Sequence, residues 1–191
     1  MRRHFVPLVL ILAGLAAEVQ GQGASRPTPQ PDHLIGAEGI GPLRLGMTLD
    51  DAQRSLPLAT FQRASDGDGA ALVQVKFRGG ESLYLWAGED DPDLPIDRAK
   101  RIRTIETFDR AFETIEGIRV GTLLVAAERV WGAVNEIVES EIESRQFVTF
   151  ERQPPGLSIR NDYSGVFTAG TRRTTRYRAD AQIMSIAVSS D

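Results

Sequence analysis

A pattern of apolar and polar positions occurs twice along the chain. Each copy begins with an apolar-Arg-apolar-Gly segment, at 43–46 (LRLG) and again at 118–121 (IRVG). The residues after each glycine place apolar side chains at helical spacing, which predicts one short helix in each copy. The same order of elements follows both helices, which favours an internal duplication over a chance match. We expect Gly46 and Gly121 to adopt positive φ where the chain turns sharply into each helix.

Both predicted helices carry boundary signals. Thr48 is placed to cap the backbone N–H of Asp51, and the first helix should end before Pro57. The second helix is predicted over about 122–131, with Gly132 ending it. Its predicted apolar stripe consists of Leu124, Ala127, Val130 and Trp131.

Strand-like runs follow each helix. The predicted strands are 72–78 and 81–87 in the first copy, and 145–152 and 156–161 in the second. Turns at 79–80 (GG) and 154–156 (PPG) join them as hairpins. Each copy closes on a strand with an Ile-x-x-Ile core, formed by Ile102 and Ile105 and by Ile183 and Ile186. The prediction is an α+β fold of two similar repeats, each a short helix followed by a small antiparallel sheet, packed into one compact body.

The N-terminal segment predicts export. Arg2 and Arg3 precede an apolar stretch at 6–17 and small residues follow, a pattern typical of a secretory signal peptide. Cleavage after Gly21 and cleavage after Ala16 are both compatible with the residues that signal peptidase accepts before its cleavage site. The stretch is shorter than the roughly 20 residues that cross a bilayer, so we expect no membrane span in the mature chain. We divide the chain into a signal peptide (1–21), a Pro-rich flexible leader (22–33), a first repeat (34–108) and a second repeat (109–191). We expect the mature protein to be periplasmic or secreted.

Composition excludes several classes of protein. The chain has 22 Lys+Arg, 26 Asp+Glu, 2 His and no cysteine, with a net charge of −4. The acidic balance gives no field for binding nucleic acid, and the lack of cysteine removes thiolate nucleophiles and thiolate-bound metals. His4 lies in the signal peptide and His33 at the end of the leader, outside the expected core. Triad hydrolysis and His-held zinc are therefore not expected, and we predict no catalytic residue, no metal site and no cofactor.

Acidic residues cluster in three places. The spacing at 89–97 matches no EF-hand, which favours a solvated loop over a calcium site. The carboxylates of that loop belong to Glu89, Asp90, Asp91, Asp93 and Asp97. The segment 66–69 (DGDG) is typical of a turn. The run of Glu139, Glu141 and Glu143 favours a solvated edge over the carboxylate pair of a glycosidase.

Two aromatic residues and two arginines are the candidate partner-binding residues. In the strand 81–87, if the two leucines face the core, Tyr84 and Trp86 point together to the opposite side of the sheet. Paired exposed aromatic residues anchor many binding surfaces, although a second covering layer would place both in the core instead. Arg173 and Arg176 belong to an Arg-rich run that either contacts an acidic or phosphate-bearing partner or keeps an exposed hairpin from pairing.

A short motif resembles known exported bacterial proteins. Residues 44–52 (RLGMTLDDA) are similar to the Gly-Met-Thr helix start of the SmpA/OmlA-type outer-membrane assembly lipoproteins and of the tandem-repeat β-lactamase-inhibitor-like proteins. The segment 41–48 (GPLRLGMT) also resembles a class of uncharacterised exported proteins. The resemblance implies a short helix ahead of a small antiparallel sheet, and in the tandem form a curved surface that grips a partner protein. Because the chain lacks the lipidation cysteine of one group and the disulfides of the other, only the architecture is carried over.

These observations predict an exported, non-catalytic module that binds another protein of the bacterial cell envelope or the extracellular space, such as an inhibitor or an assembly accessory protein. The alternative is a small-ligand binder or a carboxylate-dependent envelope enzyme with its site between the repeats. That alternative requires a concave pocket with convergent polar groups.

Overall fold

A computed structural model describes residues 31–190, apart from Asp90, Ile142 and Glu143. The predicted signal peptide and most of the predicted leader lie outside the described residues. Within the described range, the helices lack the length and apolar character needed to cross a membrane.

The end of the predicted leader differs from the prediction. Pro31–His33 form a 3-10 turn, and the His33 ring packs against Phe112 at a centroid distance of 5.4 Å. Phe112 is fully buried, so His33 lies against the core, with its side chain 30% exposed. The Pro-rich composition gave no sign of this contact, because Phe112 is distant in sequence.

Two short helices and a series of mostly short strands follow in the described residues. The helices are α1 (Leu49–Ser55) and α2 (Leu124–Trp131). The strands are β1 (Leu34–Gly36), β2 (Gly39–Ile40), β3 (Leu43–Arg44), β4 (Thr60–Ser65), β5 (Ala71–Lys76), β6 (Ser82–Trp86), β7 (Thr104–Thr107), β8 (Glu113–Thr114), β9 (Val134–Glu139), β10 (Gln146–Phe150), β11 (Leu157–Asn161), β12 (Arg173–Thr174) and β13 (Ile183–Ser189). The four strands predicted from the sequence match β5, β6, β10 and β11 closely, whereas β4 and β9 were missed.

One large antiparallel sheet dominates the fold. Its strand order is β12-β9-β10-β11-β13-β7-β6-β5-β4, and each neighbouring pair in it is antiparallel. The strands β4 to β7, which follow α1, form one half, and the strands that follow α2 form the other. The two halves meet where β7 pairs with β13. A small second sheet contains β3, β2, β1 and β8. The predicted α+β class with mainly antiparallel sheets is confirmed.

The helices begin and end largely where the sequence predicts. The backbone N–H of Asp51 donates to Thr48 Oγ1 at 3.0 Å, which confirms the predicted cap of α1. The helix ends at Ser55, before the proline. The predicted stripe of α2 is wrong at Val130, which is 38% exposed. The other three residues of that stripe are buried, because a period of 3.6 residues aligns them and turns Val130 away from their line.

The two helix starts dock on the sheet through matching hydrogen bonds. Gly46 and Gly121 have φ of +79° and +83°, as predicted. The N–H of Gly46 donates to the carbonyl of Ile102, and the N–H of Gly121 donates to that of Ile183, both at 2.8 Å. Each isoleucine N–H donates in return to the carbonyl of the residue after the glycine, at 2.9 Å in both places. Each helix is thus tied to the strand region that closes its own half.

The core lies on one face of the large sheet and is shared by both halves. Cross-strand neighbours Val73, Leu85, Ile105, Val188 and Leu157 form one apolar row that runs from β5 across β6, β7 and β13 to β11. All five are buried in the same cluster as the inward residues of α1 and α2. Since the row crosses the junction of β7 and β13, the two halves bury their apolar surface together.

Replacing Gly46 by alanine should destabilise the protein by about 1 kcal/mol, because an L side chain at positive φ is strained. An added Cβ would meet no atom within 4 Å, so the strain is conformational and not steric. Urea unfolding measures the change. The matched control is Gly67→Ala, at an exposed glycine whose backbone is outside the positive-φ region and whose Cβ would also meet nothing. Equal stability of the two variants would contradict this account of the turn.

Candidate binding groove

The strand β6 places its aromatic residues on the face of the sheet opposite the core. Leu83 and Leu85 are fully buried in the core. Tyr84 and Trp86 alternate with them and are half-buried. The predicted alternation is confirmed, and the aromatic pair does not belong to the main core.

The same face carries small residues on the central strand β13. Tyr84 lies opposite Glu106, and Glu106 lies opposite Ala187. On the other side of β13, Ser185 lies opposite Arg160. The short side chains of β13 leave a trough between the longer side chains of β6 and β7 in the first half and those of β11 in the second.

This trough opens into two adjoining concavities of about 420 and 560 Å³. Both are lined by the same central residues, which are Asp66, Trp86, Glu106, Arg145 and Arg160. The first extends toward Arg103, Phe147, Ser158 and Ser189, and the second toward Tyr84, Phe108 and Tyr163. We call this continuous surface the groove.

An ion pair between two hairpins spans the groove. Arg145 lies in the connection between β9 and β10, directly before β10. It pairs with Asp68 in the turn between β4 and β5, and its guanidinium lies 4.0 Å from Asp66. The Asp66 carboxylate also accepts the backbone N–H groups of Asp68 and Ala70 at 3.0 and 2.9 Å, which fixes the turn. The predicted DGDG turn is confirmed. Because β5 and β10 are separated by four other strands, this contact requires the sheet to curve around the groove.

A second ion pair lies at the centre of the groove. Arg160 Nη1 is 3.6 Å from Glu106 Oε1, and the two side chains are only 12% and 10% exposed. The Arg160 guanidinium carbon lies 5.8 Å from the centre of the Phe108 ring. Arg160 Nε and the hydroxyl of its cross-strand neighbour Ser185 are buried without a hydrogen-bond partner among the described residues. Buried polar groups are normally hydrogen-bonded, so this cluster holds unused hydrogen-bonding capacity.

Sequence reasoning missed this central pair. Both residues stand in short strands that mix apolar and polar positions, Glu106 in β7 and Arg160 in β11. A charged residue at an outward position of such an alternating strand is common on solvated sheets. The alternation of side chains along each strand could have indicated the pair, because it places Glu106 and Arg160 on the same face of the sheet as Tyr84 and Trp86.

The predicted arginines lie apart from the aromatic pair. Arg173 is 70% exposed at the outer edge of the sheet, where it donates to both oxygens of Glu136 at 2.7 Å. Arg176 is exposed in the segment after β12. Neither lines the groove. The structure therefore unites Tyr84 and Trp86 but does not unite them with Arg173 and Arg176.

The acidic loop is tied to the rim of the groove by its first carboxylate. The Glu89 carboxylate accepts hydrogen bonds from both terminal nitrogens of Arg63. Its side chain is only 6% exposed. The backbone N–H of Asp97 also donates to it, at 2.8 Å. The hydrogen bonds from Arg63 hold the pKa of Glu89 below its ordinary value. The Glu89 carboxylate is thus engaged by hydrogen bonds from Arg63 and Asp97. The described part of the chain contains no group of three or more potential metal ligands.

The fold can be compared with known proteins. No family model matches the chain, and no curated protein does. Among solved structures, the chain is similar to the crystal structure of the uncharacterized protein yfeY from Escherichia coli, with a TM-score of 0.52 and 12% sequence identity. The match covers 82% of this chain and 99% of yfeY. The likeness concerns the fold and extends over nearly the whole of yfeY.

Acrylamide should quench the two tryptophans unequally, because Trp86 lines the groove and Trp131 is 2% exposed. The chain has 2 Trp, so each single Trp→Phe variant isolates one emitter. We expect a several-fold larger quenching constant in Trp131→Phe, which keeps Trp86, than in Trp86→Phe. Similar constants would contradict the assignment of Trp86 to an accessible groove.

Replacing Glu89 by glutamine should lower the free energy of unfolding by about 2 kcal/mol near neutral pH, since hydrogen bonds to a charged group are lost. The folded-state pKa of Glu89 is lowered, so its stabilisation is complete above the ordinary value of about 4.5 and declines as the pH falls through the lowered pKa. The difference between wild type and variant should therefore shrink in acid. Urea unfolding at several pH values tests this, with Asp93→Asn as the exposed control. A difference that is constant with pH would contradict the assignment.

Proposed function

We propose that this protein is an exported, non-catalytic binding protein, and that the groove is its binding site. The observation that carries the proposal is the convergence of Tyr84 and Trp86 with the buried pair of Arg160 and Glu106 in one concavity. An apolar wall with a few converging polar groups is the usual composition of a ligand site. Export is inferred from the N-terminal sequence pattern of residues 1–21.

The shape of the groove favours a small ligand or a narrow segment over a flat protein surface. The aromatic side chains are half-buried inside the concavity, whereas anchors for a flat partner would project from the surface. Of the two functions expected from the sequence, binding between the two halves therefore has more support than docking of a protein on an open sheet.

The proposal includes an internal duplication. The matching hydrogen bonds at Gly46 and Gly121, and the order of a helix followed by an antiparallel set of strands in each half, support it. In this view the groove arose at the junction of two copies, and each copy contributes one member of the central ion pair. The lack of symmetry in the side chains that line the groove is then a product of divergence after duplication.

The double variant Tyr84→Ala/Trp86→Ala should lose bound ligand, because two aromatic anchors are removed from a desolvated site. We expect affinity to fall about 30-fold or more, which corresponds to at least 2 kcal/mol. The purified chain is incubated with envelope extract, both whole and restricted to small molecules, and bound species are measured by native mass spectrometry. The control is Arg173→Ala/Arg176→Ala, outside the groove.

A bound species that persists in the aromatic variant and disappears in the arginine variant would move the site to the β12 edge. Retention by both variants would remove both candidate sites. A species seen only with the whole extract would identify a macromolecular partner.

A further inference from the structure

We propose that the ligand of the groove is a neutral, hydroxyl-rich chain, of the chemical class of an oligosaccharide. The inference rests on the proposed function, since it takes the groove as the binding site, and it adds the class of ligand.

The charges that line the first concavity balance each other, and the second concavity adds one carboxylate, that of Asp68, which is paired with Arg145. In the first concavity, three carboxylates face three guanidinium groups, contributed by Asp66, Glu89 and Glu106 and by Arg103, Arg145 and Arg160. An anionic ligand would meet Glu106 at the centre, and a cationic ligand would meet Arg160 beside it. A neutral polar ligand avoids both repulsions.

The central pair offers a donor and an acceptor side by side. The side chains of Arg160 and Glu106 lie 3.6 Å apart. Arg160 Nε has no hydrogen-bond partner among the described residues. A hydroxyl group both donates and accepts, so neighbouring hydroxyls can accept from Arg160 and donate to Glu106. A hydrocarbon chain would bury this charge pair and offer its remaining donor and acceptor atoms no hydrogen bond, which is costly. A ligand rich in hydroxyls therefore fits the centre of the groove better than a lipid.

The walls offer apolar ring surfaces beside hydroxyl side chains. Trp86 and Phe147 line the first concavity, and Tyr84 and Phe108 line the second with their rings in edge contact at 5.4 Å. Thr104 and Ser189 place a hydroxyl pair, 3.0 Å apart, at the end of the first. Sugar rings have one face rich in C–H groups and an edge rich in hydroxyls, so they match a site that combines aromatic surfaces with small polar groups.

The floor of the groove provides no main-chain recognition of a peptide. The strands β6, β7, β13 and β11 are interior strands, paired on both sides, so their backbone groups are engaged in the sheet. A peptide that binds by strand addition needs an exposed sheet edge. A ligand on this floor meets side chains and no free strand edge, which favours an oligosaccharide over an extended peptide.

The groove extends along the strands as well as across them. Thr104 lines one concavity and Phe108 lines the other, and the four residue steps between them along the strand direction of β7 correspond to about 13 Å. This extent suits a short chain of linked rings better than a single ring.

Fluorescence titration in the Trp131→Phe background, where Trp86 is the remaining emitter, tests the inference. The probes are cello-, chito-, malto- and manno-oligosaccharides, with short neutral peptides and dodecanoate as the other classes. We expect saturable change in Trp86 emission with at least one oligosaccharide. Glu106→Gln should weaken that binding about tenfold, because it removes the charged acceptor while keeping the shape of the side chain. Arg173→Ala should leave it unchanged, and thermal unfolding confirms that each variant is folded.

Saturable binding of the peptides or of dodecanoate alone, again weakened by Glu106→Gln, would overturn the oligosaccharide assignment and leave the proposed function standing. Binding of an oligosaccharide with equal affinity in Glu106→Gln and wild type would overturn the role of the central pair. Absence of binding by all probes, together with a bound species of another class in the mass-spectrometry experiment, would also overturn the inference. Absence of binding in both experiments would remove the proposed function as well.

Discussion

The antiparallel pairing of β7 with β13 is the contact on which the rest of the structure depends. It joins two halves that are each small for an independent core, and it carries the apolar row from Leu85 through Ile105 to Val188 without interruption. The alternate residues of the same two strands, Glu106 and Ala187, face the other side and form the floor of the groove. One strand pairing therefore creates both the shared core and the candidate site.

The groove needs the curvature of the sheet as well as its continuity. Small residues on β13 allow side chains from the two halves to approach across it, so that Arg160 of the second half lies beside Glu106 of the first. The contact of Arg145 with Asp66 and Asp68 then joins the two hairpins above the same strands. Each exposed ion pair contributes little to the free energy of folding. These contacts matter because they hold the two halves at a fixed separation. They set the width of a site whose aromatic walls come from β6 and β10.

Much of the local structure could be predicted from the sequence. The cap at Thr48, the positive-φ glycines and the alternation along β6 depend on neighbours within a few residues, and these predictions hold. The residues of β4 have no clear apolar alternation because it is an edge strand with exposed polar positions. The central ion pair depends on register between strands far apart in sequence, and no local pattern encodes that. The sequence also offers Arg173 and Arg176 as binding residues beside the aromatic pair. In the sheet, β12 lies at the outer edge, far from β6, so these arginines are separate from Tyr84 and Trp86.

The location of the binding site is the central claim, and heteronuclear NMR tests it most directly. A spectrum that resolves the indole N–H signals of Trp86 and Trp131 is recorded while a mixture of neutral oligosaccharides is added to the full chain. We expect a concentration-dependent shift of the Trp86 signal and a nearly constant Trp131 signal, because one indole lines the groove and the other is buried in the core. Shifts confined to residues outside the groove, with Trp86 unchanged, would contradict it.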